Sequence, residues 1–163
     1  MKLRDRAIAV CIAALAIAGG GVWWWDGGGA QAPEFRVATI GGATVAGGGA
    51  PTLVTFWATD CITCRFEAPH LAQLHRDSGG RLRIIAVAMP HDDEAAVREF
   101  IRARELPYHV AMDSAGRMAR LFGGVRLTPT TFLIAPDNRI VLHTIGAVDL
   151  GKVRALVDKM HAG

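Results

Sequence analysis

Cysteine is scarce in this sequence, with three in 163 residues. That excludes a disulfide-dense scaffold and leaves the fold to rest on a hydrophobic core. Net charge is scarce as well. The formal charge is +3, and Lys2, Arg4 and Arg6 against Asp5 account for +2 of it, leaving about +1 for everything beyond them. So small an excess argues against an electrostatic nucleic-acid surface, and no nucleic-acid partner is expected. No haem, flavin or nucleotide motif is present and no internal repeat, so no cofactor is expected; low complexity is confined to glycine clusters such as 41–42 and 47–49. The length suits one domain with an accessory segment and falls short of two ordinary domains.

Half of the positions are apolar, and the N-terminus accounts for much of the positive mean hydropathy. Ala7 to Trp25 is a run of 19 residues without a charge, preceded by Lys2, Arg4 and Arg6. As a helix it spans roughly 28 Å, close to the hydrocarbon thickness of a bilayer. The flanking cations predict a cytoplasmic N-terminus and an exported remainder, with Trp23, Trp24 and Trp25 at the far interface. Residues 1–25 are therefore read as a single membrane anchor. The alternative is a signal peptide cleaved after Ala16-Ile17-Ala18. Cys11 is read as a small apolar residue of that segment. Residues 26–34 are glycine-rich and read as a flexible tether, and 35–163 as the folded domain, long enough for one well-buried core.

Within the domain, two hydrophobic periods alternate. Thr52–Trp57 and Leu82–Ala88 are strand-length apolar runs rich in β-branched residues. Cys61–Asp77 between them reads as a helix with Phe66, Leu71 and Leu74 toward the core. Asp92 or Asp93 caps a second helix that buries Val97, Phe100 and Ile101. A strand near Tyr108–Ala111 and a short helix at Ala115–Phe122 follow. Thr130–Ile134 and Arg139–Ile145 are then two strands joined by a turn at Pro136-Asp137-Asn138. A last helix beginning near Asp149 carries Val153, Leu156, Val157 and Met160 on one face. This order implies an α/β fold, a central mixed β-sheet with helices on both faces.

Cys61-Ile62-Thr63-Cys64 opens the first helix immediately after a buried strand. There the unpaired backbone N–H groups and the helix dipole stabilise a thiolate at Cys61. Cys64 lies three residues on, within reach of a reversible disulfide. An exposed thiolate above a more buried resolving thiol is what thiol–disulfide exchange requires. The pair also admits two other readings. A structural disulfide closing so short a loop adds little stability. A copper or zinc site would complete the pair with His70 and His75, but their spacing is far from that of zinc fingers and the four side chains do not converge on one point of a helix. No metal is expected, and both histidines are read as solvent-facing.

Phe56-Trp-Ala-Thr-Asp-Cys-Ile-Thr-Cys64 resembles the F-W-A-x-W-C-x-x-C motif of thioredoxin-fold proteins. Pro69 matches the proline within the family's active-site helix, and Val125-Arg-Leu-Thr-Pro-Thr130 resembles its cis-proline segment. Glu67, together with Thr128 to Ile134, narrows the resemblance to the membrane-anchored, TlpA/ResA-like branch of bacterial thiol–disulfide oxidoreductases, from about Phe35 to the C-terminus. The resemblance implies a thioredoxin-like fold and a redox-active Cys61–Cys64 disulfide, with Cys61 as nucleophile and Cys64 as resolving thiol. It implies a cis bond at Pro129 that places Thr128 beside Cys61, where a substrate strand can pair with its backbone. Glu67 is expected to accept the Cys64 proton, and Trp57, Ile62 and Thr63 to join Thr128 in contacting substrate.

It further implies a periplasmic domain on the bacterial inner membrane, with disulfide-containing envelope proteins as substrates. Apocytochrome c and a copper-delivery protein are examples, and a membrane thiol reductase is the implied electron donor. Three departures stand out. Thr55 occupies the place of thioredoxin's buried aspartate. Asp60 replaces the tryptophan before the first cysteine, where a carboxylate opposes thiolate formation. Ile62-Thr63 replaces the usual pair between the cysteines. The direction of electron flow is therefore open: disulfide reduction is the leading expectation, thiol oxidation or isomerisation the alternative.

Overall fold

Two apolar runs, Thr52–Trp57 and Arg83–Ala88, lie side by side and parallel, and only Arg83 among them is not fully buried. They are the centre of a computed structural model that describes residues 29–162. In chain order the elements are β1 (Arg36–Ala38), β2 (Thr44–Ala46), β3 (Thr52–Trp57), α1 (Ile62–Asp77), β4 (Arg83–Ala88), α2 (Glu94–Arg104), β5 (His109–Met112), α3 (Arg117–Leu121), β6 (Thr130–Ile134), β7 (Ile140–Ile145) and α4 (Leu150–Ala162). The main sheet runs β5-β4-β3-β6-β7, with β1 and β2 in a separate two-stranded sheet. β3, β4 and β5 are parallel, while β6 and β7 are antiparallel to their neighbours. The mixed sheet read from the sequence is present.

Side chains alternate across a strand, so β3 contributes to two cores. Leu53 and Trp57 face α1, α2 and α4, packing with Leu71, Leu74, Val97, Val153 and Val157. Val54 and Phe56 face the other way, against α3 and the β1–β2 hairpin, with Phe122, Phe132, Phe35 and Val37. Helices thus cover both faces. Four aromatic rings consolidate the second core, with Phe122 lying 5.5 Å from both Phe35 and Phe56 and 5.0 Å from Phe132.

The helix caps divide neighbouring carboxylates between tasks. Asp93 caps α2, accepting from the Ala96 N–H at 3.0 Å, which is the ordinary role of a short acidic side chain at that position. Asp92 instead reaches back to the segment after β3, accepting from the Thr59 N–H and hydroxyl. Buried Asp113 accepts from the Met118 and Ala119 N–H groups in the first turn of α3, whose N-cap position is Gly116. The Pro136–Asn138 turn is closed by Asn138, whose φ of 67° is left-handed, a conformation asparagine tolerates better than most residues.

Three expectations change. Phe66 does not face the core and is 73% exposed. The buried stripe of α1 is Cys64, Glu67, Ala68, Leu71, Ala72 and Leu74, and helical geometry turns position 66 away from it. Residues 29–34, read as part of a flexible tether, lie against the domain: Gln31 bridges to Arg139, and Ala32 is buried and donates its N–H to Asn138 O at 2.8 Å. His75 is half-buried, its Nδ1 enclosed with no hydrogen-bond partner among the described residues. The apolar segment 7–25 lies outside the described residues. Among those that are described, no helix is long and apolar enough to cross a membrane.

Candidate active site

β3 ends at Trp57, and four residues later the chain enters α1. Cys61 is the N-cap, in an extended conformation, and its Sγ accepts from the Cys64 N–H at 3.2 Å. The two sulfurs are bonded to each other across a Cα–Cα distance of 5.3 Å. Cys61 is half-buried and Cys64 only 4% exposed. The first turn of α1 holds no acidic residue, so a thiolate at Cys61 meets the helix dipole unopposed from within the helix. Asp60 is exposed, with Oδ1 3.6 Å from His91 Nε2. The entry segment is held from below by Asp92 through Thr59.

The sheet register brings the second motif to the same end. Phe56 pairs with Thr130, so continuing the antiparallel ladder sets Pro129 beside Trp57, four residues from Cys61. The Thr128–Pro129 bond is cis. Pro129 is buried, its carbonyl accepting from the Gly146 N–H at 2.8 Å, and the Thr130 hydroxyl closes the turn onto Leu127 O at 2.7 Å. No backbone hydrogen bond ties Thr128 to another described residue. Ile62 and Thr63 are exposed beside the disulfide, Thr128 is half-exposed, and Trp57 is buried beneath, its ring 5.0 Å from Phe100.

Behind Cys64 lies a small cavity of about 10 Å³, room for about one water. Cys64, Glu67, Thr55, Trp57 and Tyr108 are among its walls. Glu67 is its only carboxylate, 8% exposed, with Oε1 accepting from the Val148 N–H at 2.8 Å. Burial pushes this carboxyl above the ordinary glutamate range, and the Val148 N–H and nearby His70 pull it only part of the way back. The Tyr108 phenol is pushed up in turn, first by its burial and then by Glu67. The Thr55 hydroxyl bonds Thr131 at 2.9 Å, and a threonine has no carboxylate to take a proton. The Trp57 indole N–H is buried, with no hydrogen-bond partner among the described residues.

The chain matches the AhpC/TSA family over residues 29–143. It belongs to that family. It is similar to the thiol–disulfide oxidoreductase ResA of Bacillus thuringiensis, 30% identical over 117 residues, 68% of this chain and 65% of the relative. It is also similar to the thioredoxin-like protein YneN of Bacillus subtilis, 31% identical over 71% of this chain and 68% of the relative. The chain spans just under two thirds of the first of these. In fold it is similar to a thioredoxin-family thiol:disulfide interchange protein of Chlorobium tepidum, with a TM-score of 0.72 at 22% identity over 81% of this chain and 96% of that one. The resemblance to the TlpA/ResA-like branch of thioredoxin-fold proteins holds.

In this AhpC/TSA family member, the structure therefore gathers Cys61, Cys64, Glu67, Trp57 and Pro129 at one end of the sheet, with Ile62, Thr63 and Thr128 at the surface around them. His70 and His75 do not join the cysteines. His70 is exposed, while the His75 ring lies 6.5 Å from Tyr108, and its burial lowers its affinity for a proton. Among the described residues, no group of three or more His, Cys, Asp or Glu side chains is placed to hold a metal ion. Sequence reading missed Tyr108, Asp92 and the Val148 N–H. Tyr108 is the chain's single tyrosine, a signal only once its neighbours are known; Asp92 was visible solely as a possible cap; a backbone donor 81 residues from Glu67 leaves no mark in a sequence.

Glu67 carries a consequence for stability. Its folded-state proton affinity exceeds that of the unfolded chain, so the folded form holds the proton longer as pH rises. Stability is undiminished where both states are protonated and falls as pH climbs through the window above 4.5. Glu67→Gln keeps an oxygen for the Val148 N–H and removes the ionisation. Denaturant midpoints of oxidised wild type and variant, measured from pH 4 to pH 7, are expected to diverge, with the variant gaining relative stability toward pH 7. A difference that does not change with pH contradicts this placement of the carboxylate.

Proposed function

We propose that this protein is a thiol–disulfide oxidoreductase that reduces disulfides of envelope proteins, tethered to the membrane with its domain outside the cytoplasm. One observation carries the chemistry: two bonded cysteines at a helix N-terminus, the first half-exposed and the second buried above an enclosed carboxylate. The name of the ResA relative agrees with it. The export reading is supported by the uncharged segment 7–25 and its preceding cations.

In the reduced protein the Cys61 thiolate attacks one sulfur of the substrate disulfide, and the other sulfur leaves as a thiolate that takes up a proton. A mixed disulfide joins Cys61 to the substrate. Cys64 then gives its proton to the Glu67 carboxylate and attacks Cys61 Sγ, releasing the second substrate thiol. Two electrons have passed from the pair to the substrate, and the Cys61–Cys64 bond is restored. Burial suits Glu67 to this task, since a carboxyl with raised proton affinity is a stronger base when ionised. Trp57 and Pro129 wall the site, while the free backbone of Thr128 and the exposed Ile62 and Thr63 face the substrate. The cycle needs a dithiol donor, assigned to a membrane thiol reductase. Apocytochrome c and a copper-delivery protein are the substrates suggested by the resemblance.

Removing the resolving thiol tests the reaction. Cys64→Ser is expected to accumulate covalent adducts through Cys61 in envelope extracts, seen on non-reducing gels and dispersed by dithiothreitol. A lane without such adducts contradicts the mechanism. Direction is tested by the reduction potential of the Cys61–Cys64 pair. A value below roughly −220 mV is expected for a reductase, whereas roughly −120 to −180 mV reverses the electron flow.

A further inference from the structure

We propose that the outward face of α1 is a docking groove for an acidic, partly apolar segment of the partner protein, adjoining the partner's reacting cysteine. This rests on the thiol-exchange reading and adds to it the chemistry of the segment that is recognised.

Ile62 and Phe66 are the two most exposed large apolar side chains among the described residues, at 70% and 73%. Single exposed apolar residues are unremarkable, but these two share the floor of one groove of about 420 Å³ with Pro69. Ile62 directly follows the reactive cysteine. The remaining walls are Arg65, His70 and Arg104, with no carboxylate among them. Among the described residues neither arginine has an ion-pair partner, whereas Arg98 and Arg102 of α2 are paired with Glu94 and Glu99 of their own helix.

Arg104 is held in place for a local reason. Pro69 has no N–H, so the Arg65 carbonyl lacks its helical donor. Arg104 Nη1 supplies one at 3.3 Å, with its guanidinium 5.2 Å from the Phe100 ring centroid. The groove therefore has an apolar floor, a fixed cation on one side and a second cation, Arg65, one turn from Cys61. A second copy of this chain docked through the same face would set these arginines against their own like charges. A carboxylate-bearing segment complements them. From Cys61 to Pro69 the helix rises about 12 Å, which an extended segment covers in about four residues. The carboxylates that matter lie within that distance of the partner's cysteine.

The test uses the full chain in non-ionic detergent, reduced and freed of reductant, and two synthetic peptides. Each carries one cysteine as a mixed disulfide with thionitrobenzoate and one leucine, and the four residues on either side are otherwise rich in glutamate or in lysine. Cys61 attacks the peptide sulfur and thionitrobenzoate leaves as a coloured thiolate; Cys64 then displaces the peptide thiol. At low ionic strength the glutamate peptide is expected to react about tenfold faster than the lysine peptide, with the ratio falling toward one in about 0.5 M salt. Arg65→Glu, whose side chain holds no structural contact described above, is expected to lower the ratio several-fold, and Arg104→Glu independently the same. A wild-type ratio near one, or a ratio that neither variant moves, overturns the inference while leaving thiol exchange intact. Variants that lose retention on anionic vesicles without changing the ratio also overturn it, because the occupant is then a lipid surface. Release from neither peptide overturns the thiol-exchange reading itself.

Discussion

A helix N-terminus held at the end of a fully buried strand sets everything else at this site. β3 has no exposed residue and is gripped by β4 on one side and β6 on the other. Its end therefore cannot drift, and neither can the start of α1 four residues later. Cys61 is fixed as the cap, with its sulfur on the Cys64 N–H. One helical turn then decides the asymmetry of the pair: the first sulfur faces outward and the second is covered by the core. The same sheet delivers Pro129 without any contact between distant loops being required, because β6 begins where β3 ends. Local geometry and sheet register converge on one edge.

Charge is distributed around that edge with a clear division. The face toward the core carries one enclosed carboxylate, Glu67, held by a single backbone N–H and costly to ionise there. The face toward solvent carries cations, Arg65 and Arg104, beside exposed Ile62 and Phe66. Glu67 and Arg65 belong to the same helix, α1, while Arg104 comes from the end of α2. Pro69 links them, because its missing N–H draws Arg104 onto α1 at the Arg65 carbonyl. On the proposed reading, the first face holds the acceptor for the Cys64 proton and the second receives the protein substrate.

The strands and helices were legible because the core faces follow their periods closely. β3 and β4 read as uninterrupted apolar runs, and α4 buries Val153 and Val157 as its spacing implies. The cysteine motif and the cis-proline segment carried the family. What could not be read is what depends on tertiary register. Phe66 looks like a core residue in a list of apolar positions, and only the identity of the true stripe through Cys64, Leu71 and Leu74 turns it outward. Gln31 and Ala32 sit in a glycine-rich stretch whose composition signals flexibility, yet a bridge to Arg139 and a bond to Asn138 fix them. Glu67 was visible as a residue three positions beyond Cys64, but its burial and its Val148 partner were not. Thr55 marked the loss of an aspartate without showing that Thr131 takes up its hydroxyl.

The exchange cycle depends on the difference between the two sulfurs, and thiol labelling of the reduced protein measures that difference directly. Brief iodoacetamide treatment at pH 7 followed by peptide mapping separates Cys61, Cys64 and Cys11. The predicted result is alkylation of Cys61 at least about tenfold faster than Cys64, as a helix-capping, half-exposed thiolate above a buried thiol requires. Equal rates, or modification of Cys64 first, would contradict the assignment of nucleophile and resolving thiol.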